Sequence, residues 1–91
     1  MIRVFVVYEQ EPDPDRYARH VELCRKVPGA IFRHGRITRT FAGEELAYYA
    51  EFEFVDEDAF KTGSKSDEFR ETAADAQAMG VPHRIYVTEI E

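Results

Sequence analysis

The residues of this chain best placed to do chemistry are a histidine, His20, and an aspartate, Asp75. His20 sits in the run Tyr17 to Gly29, which reads as an amphipathic helix stopped by Pro28-Gly29. At 100° per residue Tyr17, Val21 and Cys24 fall within about 60° of one another, and His20 lies on the same face. An imidazole on an apolar face must find a polar partner or border a cavity, because burying it unpaired is unfavourable. In a pocket it could act as an acid or base near neutral pH, or orient a phenolic substrate. The same placement suits a core histidine bonded to a carbonyl or a carboxylate, and the residues alone leave both readings open. Asp75 stands about 110° from the centre of the Phe69-Ala73-Ala76 stripe of a second helix. If the two helices pack side by side it can reach His20, fix its tautomer and raise its basicity; otherwise it is a solvated acid at a helix border. Tyr17, Tyr48 and Phe52 are candidates for the floor of an aromatic pocket, and equally for plain core.

Other chemistries find no support. His34 and His83 have no ligand spacing with His20 or with the single cysteine, so no zinc pattern exists. There is no phosphate-binding glycine loop, nucleophile elbow or haem-attachment motif, although a single axial histidine for haem leaves no signature. The reading therefore calls for no metal and no cofactor. Cys24 cannot form an intramolecular disulfide and reads as a small buried hydrophobe. Tyr49, Glu51, Arg33 and Arg39 occupy strand positions suited to a structural ion-pair network across a hairpin or a dimer.

The elements that must position these residues follow from pattern. Residues 2–8 form a strand rich in β-branched and aromatic side chains. Asp13 is an N-cap, with Pro14 at the first helical position, and the helix runs to about Val27. Residues 30–41 are extended, with Gly35 marking a bulge or a close approach. A turn at Ala42 to Glu45 leads into a strand over 46–55, so 30–55 is a β-hairpin. Asp56 caps a short helical turn containing Ala59 and Phe60, which Thr62-Gly63-Ser64 breaks. Ser66 caps a longer helix with Gly80 at its C′ position, and 83–90 is the last strand. The order β-α-β-β-α-β predicts an α+β, ferredoxin-like fold: a four-stranded antiparallel sheet with helices on one face.

Composition narrows the class. Ninety-one residues, 44% of them apolar, make one domain spanning 1–91, without internal repeats. A net charge of −6 argues against nucleic acid and anionic membranes, since both need a basic face. The opening apolar run, Val4 to Tyr8, is too short for a signal peptide or a membrane span, so a cytoplasmic protein is expected. In the first strand Ile2, Val4, Val6 and Tyr8 face one way and Phe5 and Val7 the other. A strand apolar on both faces needs cover on the helix-free side. The expected cover is a second copy of the sheet, which makes a homodimer.

Across nearly its whole length the chain resembles an EthD-type domain of the dimeric α+β barrel superfamily. The matching pieces, in order, are His20-Val21-Glu22-Leu23, Lys26-Val27-Pro28-Gly29, Tyr49-Ala50-Glu51, Phe54-Val55-Asp56, Ser66-Asp67-Glu68, Ala74-Asp75 and Thr88-Glu89. The family shows a longer, Trp-containing approach to the histidine, whereas this chain has no Trp. The resemblance implies a cytoplasmic homodimer whose sheets form a barrel, with a cavity between each sheet and its own helices. It places His20 and Asp75 on the family's histidine and acidic positions. Relatives in the wider superfamily include cofactor-free monooxygenases, isomerases and cyclases acting on aromatic or polyketide-like molecules. The implied protein is a small enzyme of that kind or a non-catalytic binding or accessory dimer.

Overall fold

The computed structural model describes residues 1–91. Four strands, β1 (Ile2–Tyr8), β2 (Ala30–Arg36), β3 (Tyr48–Phe54) and β4 (His83–Glu89), alternate with three helices. These are α1 (Pro14–Cys24), α2 (Glu57–Ser64) and α3 (Asp67–Met79). The strands make one antiparallel sheet in the order β2-β3-β1-β4, as the ferredoxin-like reading requires. The register sets Val4 opposite Phe52 on one side and opposite Val87 on the other. The chain's two ends therefore meet on neighbouring strands, where the Ile90 amide donates to the Met1 carbonyl.

β1 reads buried at every second residue. Ile2, Val4, Val6 and Tyr8 turn to the helices and join Ala50, Phe52 and Phe54 of β3 in the core. Because directly opposed residues share a face, β1, β3 and the helix stripes fill one layer. Phe32 packs at a tilt against Phe52, and Phe54 meets Phe60 edge-on, to extend that layer sideways. The open face carries Arg3, Phe5 and Val7, with Tyr49, Glu51 and Glu53 beside them.

Asp13 caps α1 by accepting from the Arg16 amide, and Tyr17, His20 and Cys24 make its buried face. The helix ends at Cys24, short of Val27, because the chain tightens through Arg25 and Lys26 into the Gly29 turn, whose φ is 74°. Ser66 caps α3, and Gly80 closes it in the left-handed conformation at φ 71°.

Several boundaries differ from expectation for identifiable reasons. Residues 37–47 are an irregular connection, so β2 stops at Arg36 and β3 begins at Tyr48. Ile37, Thr38 and Thr40 suit a strand, but only the Ile37 amide finds a cross-hairpin partner, the Ala47 carbonyl. Thr62-Gly63-Ser64 does not break a helix: α2 runs through it. Gly63 is buried, and a Cβ there would overlap the Phe54 ring and stand 2.7 Å from the Pro28 carbonyl oxygen. The glycine is chosen by packing, not by helix termination. Gly35 marks neither a bulge nor a close approach. It pairs regularly with Tyr49, and a Cβ there would meet nothing within 4 Å.

Candidate active site

α1 and α3 pack side by side across the sheet, and this brings His20 to Asp75. The His20 Nδ1 lies 2.7 Å from Asp75 Oδ2. Arg16, one turn before His20, grips the same carboxylate with two nitrogens, Nη2 to Oδ1 at 2.6 Å and Nη1 to Oδ2 at 3.0 Å. The Arg16 guanidinium, and after it the bond from His20, hold the Asp75 carboxyl below the usual carboxylate range against the opposing effect of burial. Asp75 is therefore ionised at neutral pH and can only accept. It follows that His20 carries its hydrogen on Nδ1, which leaves Nε2 with a free lone pair in the neutral ring.

His20 is 4% exposed and borders a chamber of about 80 Å³ between α1, α3 and the sheet. Val6, Tyr8, Phe52, Phe69 and Thr72 supply much of its wall, and with the Thr72 hydroxyl donated to the Phe69 carbonyl the imidazole is the titratable group of a mostly apolar space. Burial pushes the Tyr8 phenol up to about 12 and the Cys24 thiol, deep under α1, also up to about 12. Both stay neutral, and neither supplies a nucleophile.

A second, larger hollow of about 310 Å³ opens beside the first. It lies between the start of α1, the loop after β1 and the ends of β2 and β3, and Tyr17, His34, Tyr48, Arg36 and Glu11 line it. Tyr17 is the partition. Its ring centroid stands 5.8 Å from that of His20 on the chamber side and 5.0 Å from that of Tyr48 on the groove side. The Tyr17 hydroxyl is buried without a hydrogen-bond partner, and burial pushes its pKa upward. The aromatic floor expected from Tyr17, Tyr48 and Phe52 is thus not one surface. Tyr17 and Tyr48 line the outer groove and Phe52 the inner chamber, because Tyr48 sits at the start of β3, outside the stretch that α3 covers.

The open face holds a separate ionic group. Arg3 contacts Glu51 and Glu53 at 3.2 and 3.0 Å, and Arg33 contacts the same two at 2.8 and 3.3 Å. The Tyr49 hydroxyl donates to Glu51 at 3.0 Å. Arg33, Tyr49 and Glu51 were legible as a network. Arg39 is not part of it, since it falls in the irregular 37–47 connection. Arg3 and Glu53 take its place through strand register. His83 bonds the Val81 carbonyl and His34 the Tyr48 hydroxyl, so neither joins a ligand set. No cluster of three or more His, Cys, Asp or Glu could hold a metal ion, and no helix is long and apolar enough to cross a membrane.

The most consequential residue the sequence reading missed is Arg16. Its spacing of four from His20 put it on the same helix flank. Only the packing of α1 on α3 shows that the two share one acid.

A four-stranded antiparallel sheet with its helices on one side is the ferredoxin-like fold. Among solved structures the chain is similar to an ethyl tert-butyl ether d (EthD) family protein from Bacillus halodurans. That likeness has a TM-score of 0.80 at 22% identity and covers 100% of this chain and 99% of the other. A dimeric ferredoxin-like protein of unknown function from Jannaschia matches at a TM-score of 0.73 and 19% identity, over 98% of both chains. SnoaB, a cofactor-independent oxygenase from Streptomyces nogalater, matches at 0.63 and 16%, over 99% of this chain and 92% of its own. No family model matches the sequence, and no curated protein matches it.

Proposed function

We propose that this protein is a small acid–base enzyme acting on a small aromatic or polyketide-like molecule, with His20 as the proton-transferring group. Asp75 is its positioning residue, and Arg16 holds Asp75. The observation that carries the reading is the 2.7 Å bond from His20 Nδ1 to Asp75, made by a ring that borders an apolar chamber. Nε2 would take the proton of a phenolic O–H or an acidic C–H, and the electron pair would stay on the substrate as a phenolate or enolate. The imidazolium so formed is stabilised by Asp75 and can return the proton to oxygen or carbon. Oxygenase, isomerase and cyclase chemistry differ only in what that anion meets next. A cofactor-independent oxygenase with this fold supports the class.

The chamber's small volume, well below the roughly 300 Å³ of the smallest usual ligand pockets, favours one rival. That rival is a non-catalytic binding protein, and turnover separates the two. 1,3-Dihydroxynaphthalene exchanges its C2 hydrogen through its keto form, and exchange into deuterated water can be followed by NMR. The wild type is expected to accelerate it, and His20→Gln to lose that acceleration about a hundredfold or more. Equal rates from the two proteins remove His20 from the chemistry. Binding without acceleration selects the rival.

We infer also that the protein works as a homodimer paired through the helix-free face. Phe5 packs against Tyr49 and Tyr86 there, at 6.1 and 5.4 Å, and Ile31 is left 55% exposed. Solved proteins of this fold described as dimeric support it. Sedimentation at micromolar concentration should give about 21 kDa, twice the 10.6 kDa chain. A monomer there would overturn the pairing.

A further inference from the structure

The outer groove has a charge pattern that the inner chamber lacks. Arg36 is the one cationic side chain on its lining and Glu11 the one acid, and the two are paired across its rim. His34 adds no positive charge: burial, and then the field of Arg25, lower its pKa, and its Nδ1 is engaged with the Tyr48 hydroxyl at 3.3 Å. Behind the rim the wall is aromatic. Tyr48 and His34 lie near parallel at 22°, and Tyr17 meets Tyr48 edge-on at 70°. Such a corner receives a flat ring against one face and one edge.

We propose that this groove seats an aromatic carboxylate, its ring against Tyr17 and Tyr48 and its carboxylate on Arg36 in place of Glu11. Two features make the exchange inexpensive. Arg36 and Glu11 are 63% and 46% exposed, and a pair that wet contributes little when intact. Glu11 sits on the short loop between β1 and α1, so it can swing to solvent without moving a strand. The incoming carboxylate then restores the lost charge balance, with planar contacts that Arg makes bidentately. A neutral phenol of the same shape gains only the ring contacts and leaves the ion pair closed. The preference for an acid rests on the functional reading above, in which this side of the sheet takes an aromatic substrate. It adds an outer seat for an aromatic acid, set apart by Tyr17 from the chamber where His20 acts.

The test uses 2-naphthoate, 2-naphthol and 2-naphthylmethylammonium as probes, with binding read by fluorescence and calorimetry on the intact protein. Wild type should prefer naphthoate to both others. Arg36→Met should weaken naphthoate about tenfold and leave naphthol unchanged. Glu11→Gln should tighten naphthoate a few-fold, because the competing carboxylate is gone. His20→Gln should leave naphthoate affinity as it was, because His20 does not line the groove. Naphthoate affinity indifferent to Arg36→Met, or a preference for naphthol or the ammonium probe, overturns the proposal. Naphthoate binding lost in His20→Gln but kept in Arg36→Met places the ligand in the inner chamber; that overturns this assignment and leaves the acid–base reading standing. Naphthoate held by Arg36 in a protein that never accelerates proton exchange does the reverse.

Discussion

Each face of the sheet carries a group of charges, and the two groups are built on opposite plans. On the helix side one carboxylate, Asp75, serves two partners, Arg16 and His20, beside an apolar chamber. On the open side two carboxylates, Glu51 and Glu53, meet two guanidinium groups, Arg3 and Arg33, and each acid touches both bases. The open-face quartet is balanced and redundant, and no hollow adjoins it. The helix-side triad has a titratable ring at its end with one nitrogen unclaimed. Pairing of charge alone therefore does not mark a site; a paired group that keeps one reactive atom facing a space does.

The two faces also carry one glycine each, and these give the widest separation. Gly63, on the helix side, has no room for a side chain beside Phe54 and Pro28. Gly63→Ala should destabilise by about 1–3 kcal/mol, the usual effect of overpacking, read from urea unfolding. A neutral result would show that α2 can move and that the helix layer is looser than its packing implies.

Removing one acid from each face comes next. Asp75→Asn strips both Arg16 and His20 of their charged partner, so stability should fall by about 1–2 kcal/mol, discounted for partial exposure. Glu53→Gln should cost less, because Arg3 and Arg33 keep Glu51. The sign of the pH dependence is the same for both. Each folded carboxyl is held below its ordinary value by arginine, so each contribution is complete above the unfolded carboxylate pKa of about 4. It is lost as pH falls through the folded value. The part of the melting-temperature gap between wild type and Asp75→Asn that the Asp75 charge supplies should therefore be lost as pH falls below about 4. A gap that persists undiminished well below about pH 4, or a larger loss from Glu53→Gln than from Asp75→Asn, breaks the comparison.

Gly35→Ala should have the smallest effect and the opposite sign. Its Cβ has open space, and a strand glycine is weaker than alanine by about 0.5–1 kcal/mol, so the melting temperature should rise slightly. A rise places Gly35 outside the dimer contact inferred for the open face, and a fall places it inside.

Much of this arrangement could be read from residues alone, and the failures have a common cause. The helix-facing set of β1, the buried face of α1 and the reach from Asp75 to His20 follow from periods of 2 and 3.6. What periodicity does not carry is the identity of the neighbour. Gly63 looks like a helix breaker until Phe54 is seen beside it. Residues 37–41 look like a strand until the lack of a pairing partner is seen. Tyr17 and Phe52 look like one floor until α3 is found to cover only part of β3. Arg16 and Arg3 were each visible as a charge, but the carboxylates they meet lie 59 and 50 residues away in the chain.

The pairing of β1 with β4 sets the order in which this molecule can assemble. Of the four strands of this sheet β1 is made first and lies inside it, yet one of its two neighbours, β4, is made last of the four. Until β4 arrives, the two-sided apolar β1 can pair only with β3, and its other edge stays open. Completion must wait for a contact spanning most of the chain, which slows folding relative to a helical domain of the same length. In that interval β1 is the segment most exposed to pairing with another chain, and a chaperone that shields strands would find its target there.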